Sequence, residues 1–146
     1  MKQYTDANGV VHIEIDQEAS GVPSGGTHEH RTLDFQEREL TDRVFGKIKG
    51  QTKFIGADEI ASVIAEKGVS DGGHLSSDWI ESDAEKTGPN GASHVFNHVA
   101  SVEEGWTATQ VWGFQNVGGE RRYVRNVVVA KNGESQKFKM IYDFVQ

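Results

Sequence analysis

The clearest chemical signal in the chain is an arginine among aromatic residues, in the stretch Tyr123-Val124-Arg125. A guanidinium keeps its charge when buried, so it needs an anion or an aromatic face beside it. Two kinds of partner meet that need. One is internal: a carboxylate such as Asp34, or a stack on Trp112. The other is the carboxylate, enolate or phenolate of a ligand, with Gln110, Tyr123 and Tyr142 adding hydrogen bonds and Trp112, Phe114, Phe138 and Met140 forming apolar walls. Two histidines supply a second signal. His94 and His98 alternate with Phe96, Ala100 and Val102 on one face of a strand-like segment, and an imidazole beside an apolar ligand can shuttle protons. Together with an Arg125 that stabilises an enolate, His94 and His98 form a catalytic set for an isomerase, dehydratase or cyclase that needs no cofactor. A third set lies on one strand face, His28, His30 and Asp34. Alternate residues on a strand share a face and can share a divalent ion, so this spacing suits part of a metal site.

These side chains are positioned by the stretch from Trp106 to Phe144, which reads as three antiparallel strands. Asn132-Gly133 and Gly118-Gly119 are two-residue hairpin signals, because the favoured turn requires positive φ at both positions. Placing them in the loops pairs Lys131 with Glu134, Val127 with Phe138, Arg125 with Met140 and Tyr123 with Tyr142. On the other side it pairs Phe114 with Tyr123, Trp112 with Arg125 and Gln110 with Val127. The two registers agree. One face then carries the rows Phe114/Tyr123/Tyr142, Trp112/Arg125/Met140 and Gln110/Val127/Phe138; as the bulkier face, it is expected to point inward.

Upstream, Val10 to Ile15 is a strand candidate after the Asn8-Gly9 turn, and residues 16–27 concentrate Gly, Ser and Pro23 as a loop. Residues 1–27 are expected to form a loosely packed arm and loop. HEHRTLDFQ alternates, and Gly46 and Gly50 in GKIKGQTKFI suggest a bend or bulge. Residues 58–67, DEIASVIAEK, are the one convincing helix, with Asp58 as cap, Ile60, Val63 and Ile64 as its apolar stripe and Gly68 at its end. Residues 69–92 resist assignment apart from Trp79-Ile80, a brief strand or plug. ASHVFNHVASVE is a further strand.

The 146 residues fit one domain, 1–146. Antiparallel strands, one short helix and a bulky inner face predict a mainly β fold, a single antiparallel β-barrel, with a two-sheet sandwich as the rival. A net charge of −7 argues against a nucleic-acid partner. The chain has no cysteine, hence no disulfide framework or thiol chemistry. No signal peptide or membrane span is legible, so a cytoplasmic location without membrane association is expected, with a homodimer admissible. No nucleophile elbow, P-loop or dinucleotide fingerprint occurs.

The Tyr123-Val124-Arg125 pair on a barrel strand resembles the calycins, the lipocalins and fatty-acid-binding proteins. In the fatty-acid-binding branch an Arg-x-Tyr pair holds a ligand carboxylate; here the order is Tyr then Arg. The resemblance implies a lipocalin-like barrel around a small hydrophobic molecule. RTLDFQERE, FGKIKGQTKF and WGFQNVGGERRYVRNVVV are similar to segments of a group of small fungal proteins of uncharacterised activity. His28-x-His30, Asp34 and Pro89-x-Gly91-x-x-His94 resemble the two cupin motifs, which implies a metal-dependent enzyme. The leading expectation is a cavity for a small, largely apolar, anionic molecule, carried or converted without a cofactor; the cupin-like enzyme is the alternative.

Overall fold

The computed structural model of the chain describes residues 2–17, 27–42, 46–69, 72–81 and 91–142. Strands dominate. β1 (Lys2–Thr5), β2 (Val11–Gln17) and β3 (Thr27–Thr32) make a three-stranded antiparallel sheet in that order. β4 (Arg38–Asp42), β5 (Gly46–Ile55), β6 (His94–Ser101), β7 (Thr107–Val117), β8 (Glu120–Lys131) and β9 (Glu134–Tyr142) make a second sheet, each strand antiparallel to the next. The mainly β, antiparallel class is as expected. Among the described residues the larger sheet is open, with β4 and β9 at its ends and no pairing between them. Closure into a barrel is therefore not among the pairings observed.

The carboxy-terminal meander folds as its turns dictate. Asn132 and Gly133 have φ of 54° and 81°, and Gly118 and Gly119 have 60° and 85°, the left-handed pairs that a twisted two-residue hairpin needs. The β7–β8 and β8–β9 registers contain every expected pair, from Lys131 opposite Glu134 to Gln110 opposite Val127. At the amino terminus β2 covers the expected strand. Its Ile13 is only 2% exposed and packs with Val95 and Trp112, so this part of the expected arm contributes to the core. Residues 18–26 and 43–45, and 70–71 and 82–90 of the unassigned stretch, lie outside the described residues.

The helix forms where its pattern predicts it. A 3₁₀ turn at Ala57–Glu59 leads into α1 (Ile60–Lys67). The cap differs from expectation: Glu59, not Asp58, reaches back, its Oε1 accepting from the Gly56 N–H at 3.2 Å. Gly68 ends the helix at φ 63°. Gly50 makes no bulge, because β5 keeps one unbroken register with β4 and with β6. A Cβ there would lie 3.4 Å from Val99 Cγ2, so the glycine accommodates a cross-strand neighbour.

Both faces of the large sheet are covered. On one, Val95 and Trp112 meet Ile13 of the small sheet, with Leu33, Phe54 and Tyr123 around them. On the other, Phe96, Val111 and Val128 meet Ile60 and Val63 of α1 together with Leu75. Each large apolar side chain so buried contributes about 1.5–3 kcal/mol. No helix among the described residues is long and apolar enough to cross a membrane.

Candidate functional site

Alternation along β6, β7 and β8 sorts the expected site residues onto two faces. Val95, Trp112, Arg125 and Met140 are cross-strand partners and share the face toward the small sheet. His94 is one residue removed from Val95, so it points to the opposite face, as does His98. The expected catalytic set is therefore divided: His94 and His98 lie on one side of the sheet and Arg125 on the other.

Arg125 is 1% exposed and Trp112 wholly buried. The guanidinium carbon of Arg125 sits 3.8 Å from the centroid of the Trp112 ring and 5.2 Å from that of Tyr142. Asp34, the proposed internal carboxylate, is engaged elsewhere: its two oxygens accept from Arg38 at 2.6 Å each, and that pairing holds its pKa at about 2. Around this stack, Trp112 Nε1 donates to Gln110 Oε1 at 2.8 Å, and Tyr123 contacts both Phe114 and Tyr142 with ring centroids 5.2 and 6.1 Å away. Phe138 is exposed and Met140 half-buried. The expected ligand-binding residues thus share one sheet face, buried at Trp112 and Arg125 and open toward β9.

On the other face His94 is held at both ring nitrogens. Nδ1 lies 3.1 Å from the carbonyl oxygen of Trp112, and Nε2 lies 2.5 Å from Glu81 Oε1. The carbonyl can only accept, so Nδ1 donates that bond, and Nε2 faces the carboxyl group of Glu81. Trp79 packs on the ring at 5.0 Å, and Gly113 makes the space, since a Cβ there would fall 2.6 Å from His94 Nδ1. Glu81 Oε2 in turn accepts from Ser93 Oγ at 3.4 Å. Sequence reasoning found His94 but missed Glu81 and Ser93. The available signal was Gly113, a glycine inside a strand, which marks a close approach.

His98 is half-buried, with Nδ1 2.9 Å from Thr109 Oγ1. Burial pushes its pKa down and the charge of Lys67 pushes the same way, while Glu37 opposes them. It is therefore neutral at pH 7, able to accept a proton but walled off from the Glu81–His94 dyad by Phe96, the residue between them on that face.

The cupin-like set does not assemble. Asp34 is paired with Arg38, His30 with His12, and His94 with Glu81; the side chain of His28 lies outside the described residues. Among the described residues no group of three or more His, Cys, Asp or Glu is placed to hold a metal ion. The described residues thus give no support to a shared ion at His30, Asp34 and His94, the set that the cupin resemblance implies.

A cleft of about 1000 Å³ opens between the β1–β2 turn, residues 33–35, the end of β5 and residues 91–93. Val10, Val11, Leu33, Phe35 and Phe54 supply apolar wall, and Lys53, Asp34 and Ser93 supply polar groups. Leu33 and Phe54 also pack on the Trp112 cluster, so one wall of the cleft is backed by the Arg125–Trp112 stack. Ser93 joins the opposite rim to Glu81 and His94. Phe35 is held at φ 55°, a strained conformation for an aromatic residue. Its backbone is fixed by Thr52 and Gln51, and its ring lies 4.2 Å from Lys53 Nζ and 5.2 Å from Lys67 Nζ.

No protein-family description matches the chain, and no solved structure matches it. Two curated fungal proteins do. "Probable pericyclase scpY" of Mollisia scopiformis is 27% identical over 146 residues, covering 95% of this chain and 65% of that protein. "Pericyclase pydY" of an Acremonium species is 25% identical over 125 residues, covering 86% of this chain and 58% of that protein. The chain thus spans about three fifths of the length of these relatives, and the likeness to a group of fungal proteins holds across most of it.

Proposed function

We propose that the protein is a cofactor-independent cyclase that closes a ring in a largely apolar, natural-product-like substrate by a pericyclic step, with the cleft beside Phe35 and Phe54 as its binding site. The observation that carries this reading is the similarity along 95% of the chain to a protein named as a pericyclase. The chemistry asks for what the cleft offers. In a pericyclic step bonding electrons shift around a ring of atoms at once, with no group transferred and no electron acceptor needed. A protein accelerates it by holding a flexible chain in the folded, reactive shape and by polarising a carbonyl conjugated to the reacting alkene.

Leu33 and Phe54, which pack on the Trp112 side of β5, form one wall, and Phe35 and Lys53, on the Phe96 side, form the other, with Lys53 donating to the carbonyl. Arg125 and Trp112 stiffen the wall from behind. His94 acts through Glu81 and Ser93, delivering or accepting a proton where the substrate must enolise before it closes. The row Phe114, Tyr123 and Tyr142, with Gln110, Phe138 and Met140, extends the same sheet face for a longer substrate. His98 stays outside this path. A lipocalin-like carrier is the competing use of the same cleft.

A ring closure of this kind leaves the mass unchanged. Purified protein is incubated with linear polyenes that carry a conjugated diene and a carbonyl-activated alkene, and followed by liquid chromatography with mass detection. The expected result is an isobaric product with lost diene absorbance, formed at least about tenfold more slowly by Lys53→Ala. Substrate returned unchanged but bound would mark a carrier, and a rate equal to that of heat-unfolded protein sinks the reading.

A further inference from the structure

A second cluster of imidazoles lies on the small sheet, apart from the dyad and unused by the cyclase reading. His12 on β2 and His30 on β3 meet with His12 Nδ1 2.9 Å from His30 Nε2. The other nitrogen of His12, Nε2, donates to Asp6 Oδ2 at 2.7 Å. Asp6 is itself fixed, because its Oδ1 accepts from the N–H groups of Asn8 and Val10 at 2.8 and 3.1 Å and so braces the β1–β2 turn. Tyr4 stacks on the His12 ring, with centroids 5.0 Å apart and planes within 10°.

Each of these contacts constrains His12 in one sense. With its Nε2 hydrogen committed to a carboxylate, the lone pair is left on Nδ1 and aimed at His30. A carboxylate behind an imidazole is the arrangement that orients metal-binding histidines and raises their basicity. Two imidazole nitrogens on a tetrahedral zinc ion, at about 2.0–2.1 Å each, stand about 3.3 Å apart. The observed pair must therefore spread by only about half an ångström, and His30 is exposed and able to move. Thr32 Oγ1, 3.4 Å from His12 Nδ1, offers an oxygen at the same spot, and water completes the shell.

We propose that His12 and His30 form a two-imidazole site for a divalent transition metal ion of the zinc or copper class, with Asp6 as the outer carboxylate that orients it. In the metal-free state His30 donates its Nε2 hydrogen to His12. On binding, that proton moves to His30 Nδ1 through water, and both facing lone pairs take the ion. The metal clips β2 to β3 beside the β1–β2 turn, whose Gly9, Val10 and Val11 line the cleft. The proposal does not depend on the cyclase reading, since its readout is binding of the metal alone.

The test is calorimetric titration of zinc chloride into the full, tag-free chain, with ¹⁵N imidazole spectra recorded alongside. Wild type binds one ion per chain, and the spectra report ligation at His12 Nδ1. His30→Gln, at an exposed position, keeps the metal-free melting temperature and weakens binding at least about tenfold. Asp6→Asn weakens it about 10–100-fold. His74→Gln, remote from the site, leaves it unchanged. Zinc bound equally by wild type and His30→Gln, ligation reported elsewhere, or no heat of binding in wild type would each overturn the assignment.

Discussion

The two faces of the six-stranded sheet are both buried at their centres, yet their covers are attached by different physics. The small sheet meets its face through Ile13 on Val95 and Trp112 and through Arg31, whose guanidinium carbon lies 5.9 Å from the centroid of the Trp112 ring, contacts with less directional demand than a hydrogen-bond network. The segment 72–81 sits on the other face through a wired network. Asn126 Nδ2 donates to the carbonyls of His74 and Ser77 at 2.9 and 3.1 Å, and Gln115 Nε2 donates to Asn126 Oδ1 at 3.0 Å. Lys139 joins Gln115 Oε1 to Asp78 at 2.9 and 2.7 Å. Hydrogen bonds have direction, so the second cover is held in one place, and with it Trp79 and Glu81. The Glu81–His94 pair belongs to the registered face, and the Arg125–Trp112 stack belongs to the face whose cover rests on apolar packing.

Three substitutions probe that contrast. The largest effect is expected from Trp112→Ala, which empties the centre of the apolar face and removes the ring under Arg125. It lowers stability by about 3–5 kcal/mol in denaturant unfolding, while amide exchange in 72–81 changes only in step with the whole molecule. Next is Asn126→Ala, which strips the side-chain donor from the half-buried His74 carbonyl and leaves that of Ser77 with Gln115 alone. It costs about 1–3 kcal/mol and accelerates exchange in 72–81 before the rest of the sheet opens. If both variants loosen the two covers equally, the contrast fails.

The smallest effect is one of pH. Burial holds His98 below its ordinary value of 6.5, so the unfolded chain takes up a proton there before the folded chain does. The stability this gives is complete above about pH 6.5 and is lost as pH falls from there toward the lowered folded value. In His98→Gln that part of the acid slope flattens, as read from melting temperature against pH; an unchanged slope would show that the histidine titrates as an exposed one.

Much of the large sheet was legible because its determinants are local. Asn132-Gly133 and Gly118-Gly119 set two registers, and those registers fixed which residues neighbour Arg125. Which face points inward was not legible. Bulk on the Trp112 face suggested a single interior, but Val111, Val124 and Val128 on the other face are equally buried, because a separate layer covers each. Non-local partnerships were also out of reach. Asp34 looked free to serve Arg125 or a metal, yet Arg38, four residues on, claims it. Glu81 sits in a Gly-, Ser- and Asp-rich stretch without periodicity, and only the missing side chain at Gly113 hinted that something approaches there.

Among the described residues from β4 to β9 every ladder keeps a single register, without a bulge. In mechanical terms this makes the large sheet a plate without a soft line: sliding one strand along its neighbour by a residue breaks a whole row of bonds and turns every side chain to the wrong face. Compliance must then come from what is laid upon the plate. On the proposed reading, the hairpin with Val10 and Val11 is the part that yields to a substrate, while Phe35, tied by its backbone to Thr52 and Gln51, and Lys53 and Phe54, carried on β5, stay where the plate puts them.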